Sequence, residues 1–273
     1  MDGYEIKPVK WLSIDFRELF RYRELFFFMA WRDIKVKYKQ TVLGFLWVIL
    51  QPVVLMIIFT ILWQRVMKLG LPDIPYPLFA YSGLIFWGLF SSGVSNAGES
   101  MITNANIVKK VYFPRLIVPS SALIVSLFDF LMTLILYFAL ILYYDPHILS
   151  LKLIGFLLIS VCITLGSSFG LGLIVASANT RYRDFRYVVP FLLQALFFLS
   201  PVIAPLSLYG SGKIAFLLSL NPLAGAIDLS RAALSGTPAD WQQTAISLFV
   251  MVVLVITGLT YFRKVESQCA DLL

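Results

Sequence analysis

Residues 40–64 read QTVLGFLWVILQPVVLMIIFTILWQ and contain no charged side chain. As an α-helix, this stretch would extend about 37 Å at about 1.5 Å per residue, which exceeds the roughly 30 Å thickness of a bilayer's hydrocarbon core. The residues just before it, WRDIKVKYK at 31–39, form a basic segment of the kind found where cytosol meets anionic headgroups. The pattern predicts a chain that starts in the cytoplasm and crosses a membrane at once.

Composition also indicates an integral membrane protein. The 273 residues are 59% hydrophobic and 14% charged, which leaves too little polar surface to coat a soluble globule. The basic residues behind the net charge of +7 cluster beside apolar spans, where membrane topology explains them better than nucleic-acid binding. Two well-separated cysteines, Cys162 and Cys269, and a single histidine, His147, suggest neither a disulfide framework nor a metal site. The first forty residues do not follow the plan of a signal peptide.

Six segments are predicted to cross the membrane, because each is long and apolar enough. They are residues 40–64, 74–98, 116–144, 153–180, 187–212 and 241–262. Residues 214–227 are too short to cross and have Asn221 and Pro222 in their middle, so we expect them to be re-entrant or interfacial. The expected fold is an all-α integral membrane protein with six transmembrane helices, an N-terminal amphipathic interface helix and a re-entrant segment between helices five and six.

The distribution of lysine and arginine orients these spans. Seventeen of the 22 lie before the first span, in residues 99–115, in residues 179–187 or after the last span, and five lie on the opposite side. This asymmetry predicts that both termini are cytoplasmic. The chain then divides into a cytoplasmic N-terminal segment at 1–39, a six-helix membrane domain at 40–262 and a cytoplasmic tail at 263–273.

The N-terminal segment has the spacing of an amphipathic helix. Its apolar face carries Leu12, Phe16, Leu19, Phe20 and Phe27, and its charged face Arg17, Glu18, Arg21 and Glu24. Such a helix suits the headgroup plane of a membrane. Two roles remain open: a plain anchor, or a site whose cations bind the phosphates of a lipid-linked substrate. The candidate cations are Arg21, Arg23, Arg32 and Lys35.

Three stretches are most informative in combination. They are WRDIKVKYKQTVLGFLWVILQP at 31–52, NANIVKKVYFPR at 104–115 and NTRYRDFRYVVPFLLQALFFLSPVI at 179–203. Together with six crossings and an interrupted apolar segment before the last span, they resemble the permease subunit of type 2 ATP-binding-cassette exporters for polysaccharides and polyol phosphates. That group includes the permeases that export O-antigen, capsule and teichoic acid.

The resemblance implies a homodimer bound to two separate cytoplasmic nucleotide-binding ATPase subunits, with a polymer channel along the dimer axis. ATP and magnesium would be bound by those subunits, so the chain itself would be no enzyme and would need no cofactor. Its other expected partners are membrane lipid and an undecaprenyl-linked glycan, with O-antigen ahead of capsule and teichoic acid, and it would bind no nucleic acid. The implied location is the bacterial inner membrane.

The same resemblance implies roles for two cytoplasmic loops. Residues 103–112 would form a coupling helix seated in a cleft of the ATPase subunit, unless they are a short loop whose lysines only fix orientation. The candidate contacts are Asn104, Asn106, Lys109, Lys110 and Tyr112. The second loop would bind the partner or pair internally, and its candidates are Arg181, Arg183, Asp184 and Arg186.

Two further regions are expected to form the passage. Sugars present apolar C–H faces, so aromatic side chains suit a sugar channel better than charges that would trap the polymer. The candidates are Trp47, Tyr81, Phe86, Trp87, Phe197 and Phe198, although such residues also face lipid, pack internally or form interfacial belts. Residues 205–240, broken by prolines and glycines, resemble a pair of re-entrant helices that gates the outer mouth. An ordinary outer loop folded back on the bundle is the alternative.

Asp129 is the only acid well inside a predicted span, where an unpaired charge costs about 2.5 to 3.5 kcal/mol. A proton relay is the role it suggests, and with it an alternative function: an ion-gradient-driven secondary transporter of lipid-linked sugars. A second acid or a basic partner in another span would favour that alternative. A membrane-embedded enzyme is disfavoured, because the chain has one histidine and no paired acidic motif.

Overall fold

The computed structural model describes residues 16–39, 44–63, 74–145, 147, 150–182, 184–205 and 213–266. Within these ranges the chain forms eleven α-helices and no strand. They are α1 (Phe16–Arg21), α2 (Arg23–Lys39), α3 (Leu46–Ile61), α4 (Tyr76–Thr103), α5 (Ala105–Lys110), α6 (Ile117–Tyr144), α7 (Leu151–Arg181), α8 (Phe185–Phe198), α9 (Lys213–Ser219), α10 (Pro222–Ser235) and α11 (Trp241–Glu266). The all-α fold class is confirmed.

Four helices are long and apolar enough to cross a membrane, namely α4, α6, α7 and α11. They correspond to the predicted spans 74–98, 116–144, 153–180 and 241–262, with helix ends that differ by at most five residues. The other two predicted spans contain α3 and α8, which have 16 and 14 described residues. At about 1.5 Å per residue these helices extend about 24 and 21 Å, less than a bilayer core. The count of six crossings therefore stays a prediction.

Helix α4 lies at the centre of the bundle, where it packs against α6 and α7, and α11 packs against the far side of α7. Small residues allow these helices to approach closely. A Cβ atom at Gly170 of α7 would come within 2.5 Å of the carbonyl carbon of Leu254 in α11. A side chain is therefore excluded at this α7–α11 crossing.

Helices α1 and α2 are joined at Tyr22, and α2 packs along α6. Met29 and Ala30 of α2 are buried, and Leu19 packs against the same cluster, whereas Phe20 and Phe27 are both 67% exposed. The predicted apolar face is thus divided between the protein interior and the molecular surface. Leu12 lies outside the described residues.

The region between α7 and α11 contains the shorter helices α8, α9 and α10. Helix α8 continues through Pro190 and ends at Phe198, just before Pro201, whose missing N–H and ring clash would break it. The apolar segment 214–227 is divided at Asn221 and Pro222: the Asn221 side chain accepts a hydrogen bond from the backbone N–H of Leu223 and caps α10. Helix α10 is buried against α4, α7 and α11. Whether this pair of helices is re-entrant stays a prediction.

Candidate functional site

A cavity of about 780 Å³ lies between α3, α4, α6 and α8. Four aromatic residues on its wall, Trp47, Trp87, Phe130 and Phe197, are accompanied by hydroxyl and amide side chains. These polar residues are Gln51, Ser91, Ser92, Ser95, Ser126, Thr133 and Gln194. Aromatic rings offer flat apolar faces and the polar groups offer hydrogen bonds, so the wall suits a ligand that has both kinds of surface.

Three of the six predicted channel aromatics lie on this wall. The ring of Trp87 is 5.3 Å from that of Phe197, centroid to centroid, in an edge-to-face arrangement. Trp47 comes from the first turn of α3 and is 56% exposed. Sequence spacing alone could not select these three, because the cavity forms only where α3, α4 and α8 meet.

The other three predicted channel aromatics lie elsewhere. Tyr81 and Phe86 have no exposed surface. The Tyr81 hydroxyl donates to the Thr133 carbonyl oxygen at 3.1 Å, and Phe86 packs against Phe130 with centroids 5.6 Å apart. Phe198 is 65% exposed and does not line the cavity. In this structure Tyr81 and Phe86 are core residues, which corrects their expected place on a channel wall.

The cavity has charged side chains at one corner, where Asp129 of α6 meets the last turn of α2. The Lys37 ammonium group donates to Asp129 Oδ2 at 2.5 Å, and the Tyr38 hydroxyl donates to Asp129 Oδ1. Burial and this hydrogen bond raise the pKa of Tyr38 above its usual range, so the hydroxyl remains a donor. The ion pair offsets the cost of burying the Asp129 carboxylate, whose side chain is 11% exposed. Sequence reasoning looked for a partner in another span and missed Lys37, because the basic segment was assigned to the cytoplasmic side.

The predicted coupling segment contains α5 and the residues that flank it. Asn106, Lys109 and Lys110 are exposed, and Tyr112 is 84% exposed, whereas Val108 is buried and anchors the helix. These exposed side chains form a surface that another protein can contact.

Asn104 differs from the other predicted contacts because its side chain is already engaged within the chain. Its Oδ1 accepts from Arg32 Nη2 at 2.6 Å, and its Nδ2 donates to the Ser100 carbonyl oxygen at 2.9 Å. It is 6% exposed. The expected contact of Asn104 with a partner is therefore replaced by a contact between α2 and the end of α4.

The predicted phosphate-binding cations have two different environments. Arg21, Arg23 and Lys35 are exposed, and the Arg23 and Lys35 charges lie over the rings of Phe20 and Trp31 at 4.7 and 5.4 Å. Arg32 is half-buried and bonded to Asp33 as well as to Asn104. The charged groups of Arg21, Arg23 and Lys35 are therefore accessible to a lipid headgroup, whereas that of Arg32 is already bonded within the protein.

The second predicted loop is open to solvent where it is described. Arg181, Asp184 and Arg186 are all exposed, and the Arg181 guanidinium lies 5.4 Å from the ring of Tyr182. Among the described side chains of this loop no ion pair forms, and Arg183 lies outside the described residues. This arrangement leaves three charged side chains available for a partner.

Arg231 of α10 is a buried cation that sequence reasoning treated only as an outer-side charge. It is 5% exposed. Its guanidinium donates to the carbonyl oxygens of Pro201 at 2.6 Å, Val202 at 2.7 Å and Phe79 at 3.1 Å, and lies 3.5 Å from the centroid of the Phe79 ring. The backbone after α8 has left the helix, so its carbonyls need donors, and one planar guanidinium supplies several. The available signal was an arginine, with Asp228 three residues before it, in an otherwise apolar segment.

The part of the chain that contains the cavity, the Lys37–Asp129 ion pair and Arg231 matches a known protein family. The sequence model of the ABC-2 type transporter family matches residues 24–235. The O-antigen export system permease protein RfbA of Klebsiella pneumoniae is 29% identical over 246 residues, which cover 89% of this chain and 92% of the relative. RfbA of Myxococcus xanthus is 31% identical over 212 residues, or 76% of this chain and 78% of the relative. The polysialic acid transport protein KpsM of Escherichia coli is 30% identical over 246 residues, or 86% of this chain and 91% of the relative.

Proposed function

The chain belongs to the ABC-2 type transporter family, and from that premise we propose that it is the transmembrane subunit of an ATP-driven exporter of polysaccharide. The observation that carries the proposal is the family match over residues 24–235, together with relatives named for export of O-antigen and of polysialic acid. The O-antigen relatives make a lipid-linked O-antigen the first candidate cargo. Capsular polysaccharide is the second, and teichoic acid the third.

The assembly proposed for this activity has two copies of the chain and two cytoplasmic nucleotide-binding subunits. ATP and magnesium are bound by those subunits, and this chain contributes the membrane passage without a catalytic role. The proposed location is a bacterial inner membrane, where six crossings would put both termini on one side and the lysine and arginine distribution favours the cytoplasmic side. The two shorter crossings contain α3 and α8, and residues of both helices line the cavity, so part of the surface of each helix faces the protein interior.

The chemistry of the cavity fits a sugar polymer. The C–H faces of sugar rings stack on Trp47, Trp87 and Phe197, while their hydroxyls exchange hydrogen bonds with the serine and glutamine side chains of the wall. Each contact is weak and can be replaced by a similar one further along, which lets a polymer advance instead of being trapped. Because Lys37 and Asp129 neutralise each other, the cavity presents little net charge to the polymer.

Entry and coupling are assigned to the cytoplasmic face. The exposed cations Arg21, Arg23 and Lys35 lie on α1 and α2, where they attract the phosphates of an undecaprenyl-linked glycan. The exposed side chains of α5 and Tyr112 contact the ATPase subunit, and Arg181, Asp184 and Arg186 form a second contact. Helices α9 and α10 close the outer mouth, with Arg231 holding the backbone after α8.

The alternative, a secondary transporter driven by an ion gradient, rested on Asp129. Its basic partner does exist, but it comes from α2 and forms an ion pair that accounts for burial of the acid without a proton relay. Family membership favours the ATP-driven mechanism. The two mechanisms make opposite predictions about the energy source.

The experiment is reconstitution of the chain with its cognate ATPase subunit in proteoliposomes whose ATPase side faces outward and whose outer leaflet carries lipid-linked glycan. We expect protection of the glycan from an external glycosidase to require ATP and to be lost with a hydrolysis-deficient ATPase variant. Transport driven by a proton gradient in the absence of ATP would overturn the proposal. The cargo is identified separately, from the lipid-linked polymer that accumulates when the gene is deleted.

A further inference from the structure

We infer that α2 is a positioning element that links the ATPase-facing segment α5 to the corner of the cavity at Asp129. The inference rests on the proposed function and adds to it a path by which movement of α5 reaches the cavity. Two polar contacts define the link: Arg32 with Asn104 at one end, and Lys37 and Tyr38 with Asp129 at the other.

The two contacts join α2 to different neighbours. Arg32 and Lys37 are five residues apart, which corresponds to about 7.5 Å along the helix axis and a rotation of about 140°. Asn104 lies between α4 and α5, and Asp129 lies in α6. Helix α2 therefore connects the α4–α5 corner to α6 through opposite parts of its circumference.

Apolar packing reinforces the end of the link near α5. Met29 of α2 and Val108 of α5 belong to one buried cluster, which also contains Met101 and Phe113. Met29 and Arg32 are three residues apart and so lie on neighbouring positions of the same helix face. A displacement of α5 that kept this cluster packed would carry α2 with it, because close-packed interiors transmit strain instead of absorbing it.

The contact at the cavity end is costly to break. Both Asp129 oxygens are engaged by donors from α2, and the Asp129 side chain is 11% exposed. Sliding α2 along α6 would leave a buried carboxylate unsatisfied, so α2 and Asp129 move together. Because Lys37 and Asp129 both line the cavity, this movement reshapes its wall. Asp129 thus positions the wall and is not required to carry a proton.

The test measures coupling in proteoliposomes that contain the chain and its cognate ATPase subunit, by recording glycan exported per ATP hydrolysed. For Asp129→Asn and Lys37→Met we expect ATP hydrolysis within about twofold of the unmodified protein and export per ATP lowered by about tenfold. Lys39→Met, an exposed lysine two residues further along α2, is the matched control and should leave the ratio unchanged. Tyr38→Phe keeps the ring and removes only the hydroxyl that donates to Asp129, so it should fold even if Asp129→Asn does not. We expect it to lower export per ATP as well.

A double-mutant cycle separates a shared link from two independent defects. If Lys37 and Asp129 act together, Lys37→Met combined with Asp129→Asn should be no worse than the poorer single variant. Unchanged export per ATP in folded Asp129→Asn or Tyr38→Phe overturns the inference and leaves the proposed function intact. Loss of export on dissipating the proton gradient, with ATP present, also overturns it in favour of a relay. If the unmodified protein fails to export with ATP, the proposed function itself fails.

Discussion

Arg231 shows how one side chain can hold an irregular stretch of backbone within an apolar bundle. Its contacts join α10, the backbone after α8 and the N-terminal end of α4. A planar fork of donors reaches carbonyls that diverge in this way better than an ammonium group does, so lysine can replace it only in part. Gly83 of α4 makes room for it, since a Cβ atom there would lie 2.8 Å from Arg231 Nη2.

Replacing Arg231 is predicted to destabilise the packing of α10 against α4 and the backbone after α8. Arg231→Met removes the cost of a buried charge but leaves three carbonyls without their donor, for a net loss of about 3 kcal/mol. Arg231→Lys should be intermediate, because an ammonium group reaches fewer of them. Thermal unfolding in detergent measures the effect, with Lys213→Met, an exposed cation in α9, as the control. A Tm for Arg231→Met equal to that of the control would contradict the clamp.

Phe197 allows the role of the cavity wall to be tested against a matched residue on the same helix. Phe197 packs edge-to-face on Trp87 beside the cavity, whereas Phe191 is 70% exposed. We expect Phe197→Ala to lower the rate of glycan export by about tenfold, since one aromatic platform is worth about 0.5 to 1.5 kcal/mol beyond its buried area. Phe191→Ala should export at close to the normal rate. Equal export rates for the two variants would show that the cavity is not part of the passage.

At the scale of elements, the segment around α5 divides into exposed and buried residues that should behave differently. Tyr112→Ala is expected to weaken binding of the ATPase subunit by about 1 to 2 kcal/mol and to leave the Tm unchanged, because its side chain projects into solvent. Asn104→Ala should lower the Tm, because it removes the acceptor for Arg32. Titration calorimetry and thermal unfolding distinguish these outcomes. If Tyr112→Ala bound normally and Lys109→Ala did too, α5 would not be the docking element.

The helices could be predicted from sequence to very different degrees. Uncharged windows long enough to cross a bilayer specify α4, α6, α7 and α11, because length and apolarity act locally. The ends of α3 and α8 were not predicted, since they depend on where the chain turns inside the bundle. The place of α2 could not be derived either: Lys37 reads as one more topogenic charge until the fold brings it to Asp129.

The candidate site shows the same division. Aromatic abundance in the apolar spans suggested a sugar passage, but only packing separates Trp87 on the cavity wall from Phe86 one position earlier in the core. Adjacent residues on a helix point about 100° apart, so the neighbours of α4 decide which ring faces the cavity. The serine and glutamine side chains on the wall carried no distinctive sequence signal.

For the whole molecule, the number of membrane crossings and their direction decide on which side of the membrane each loop lies. With six crossings, the loop after α4 and the loop after α10 lie on opposite sides of the membrane, and Val111 and Thr237 are exposed residues in those two loops. In a background with Cys162→Ser and Cys269→Ser, Thr237→Cys should react with a membrane-impermeant thiol reagent added outside spheroplasts. Val111→Cys should react only in inverted vesicles.

The reverse pattern would invert the orientation derived from lysine and arginine, and would place α5 where no ATPase subunit can reach it. Reaction of both positions from one side would mean that an even number of crossings, and not the expected three, lies between Val111 and Thr237. If Val111→Cys reacts from the outside, α5 no longer faces the cytoplasm; if Thr237→Cys reacts from the inside, the loop after α10 cannot be part of an outer mouth. Labelling of Val111→Cys from the inside and of Thr237→Cys from the outside would agree with the proposed orientation. Entry and coupling are then on the cytoplasmic side, and the outer mouth is on the opposite side, as export requires.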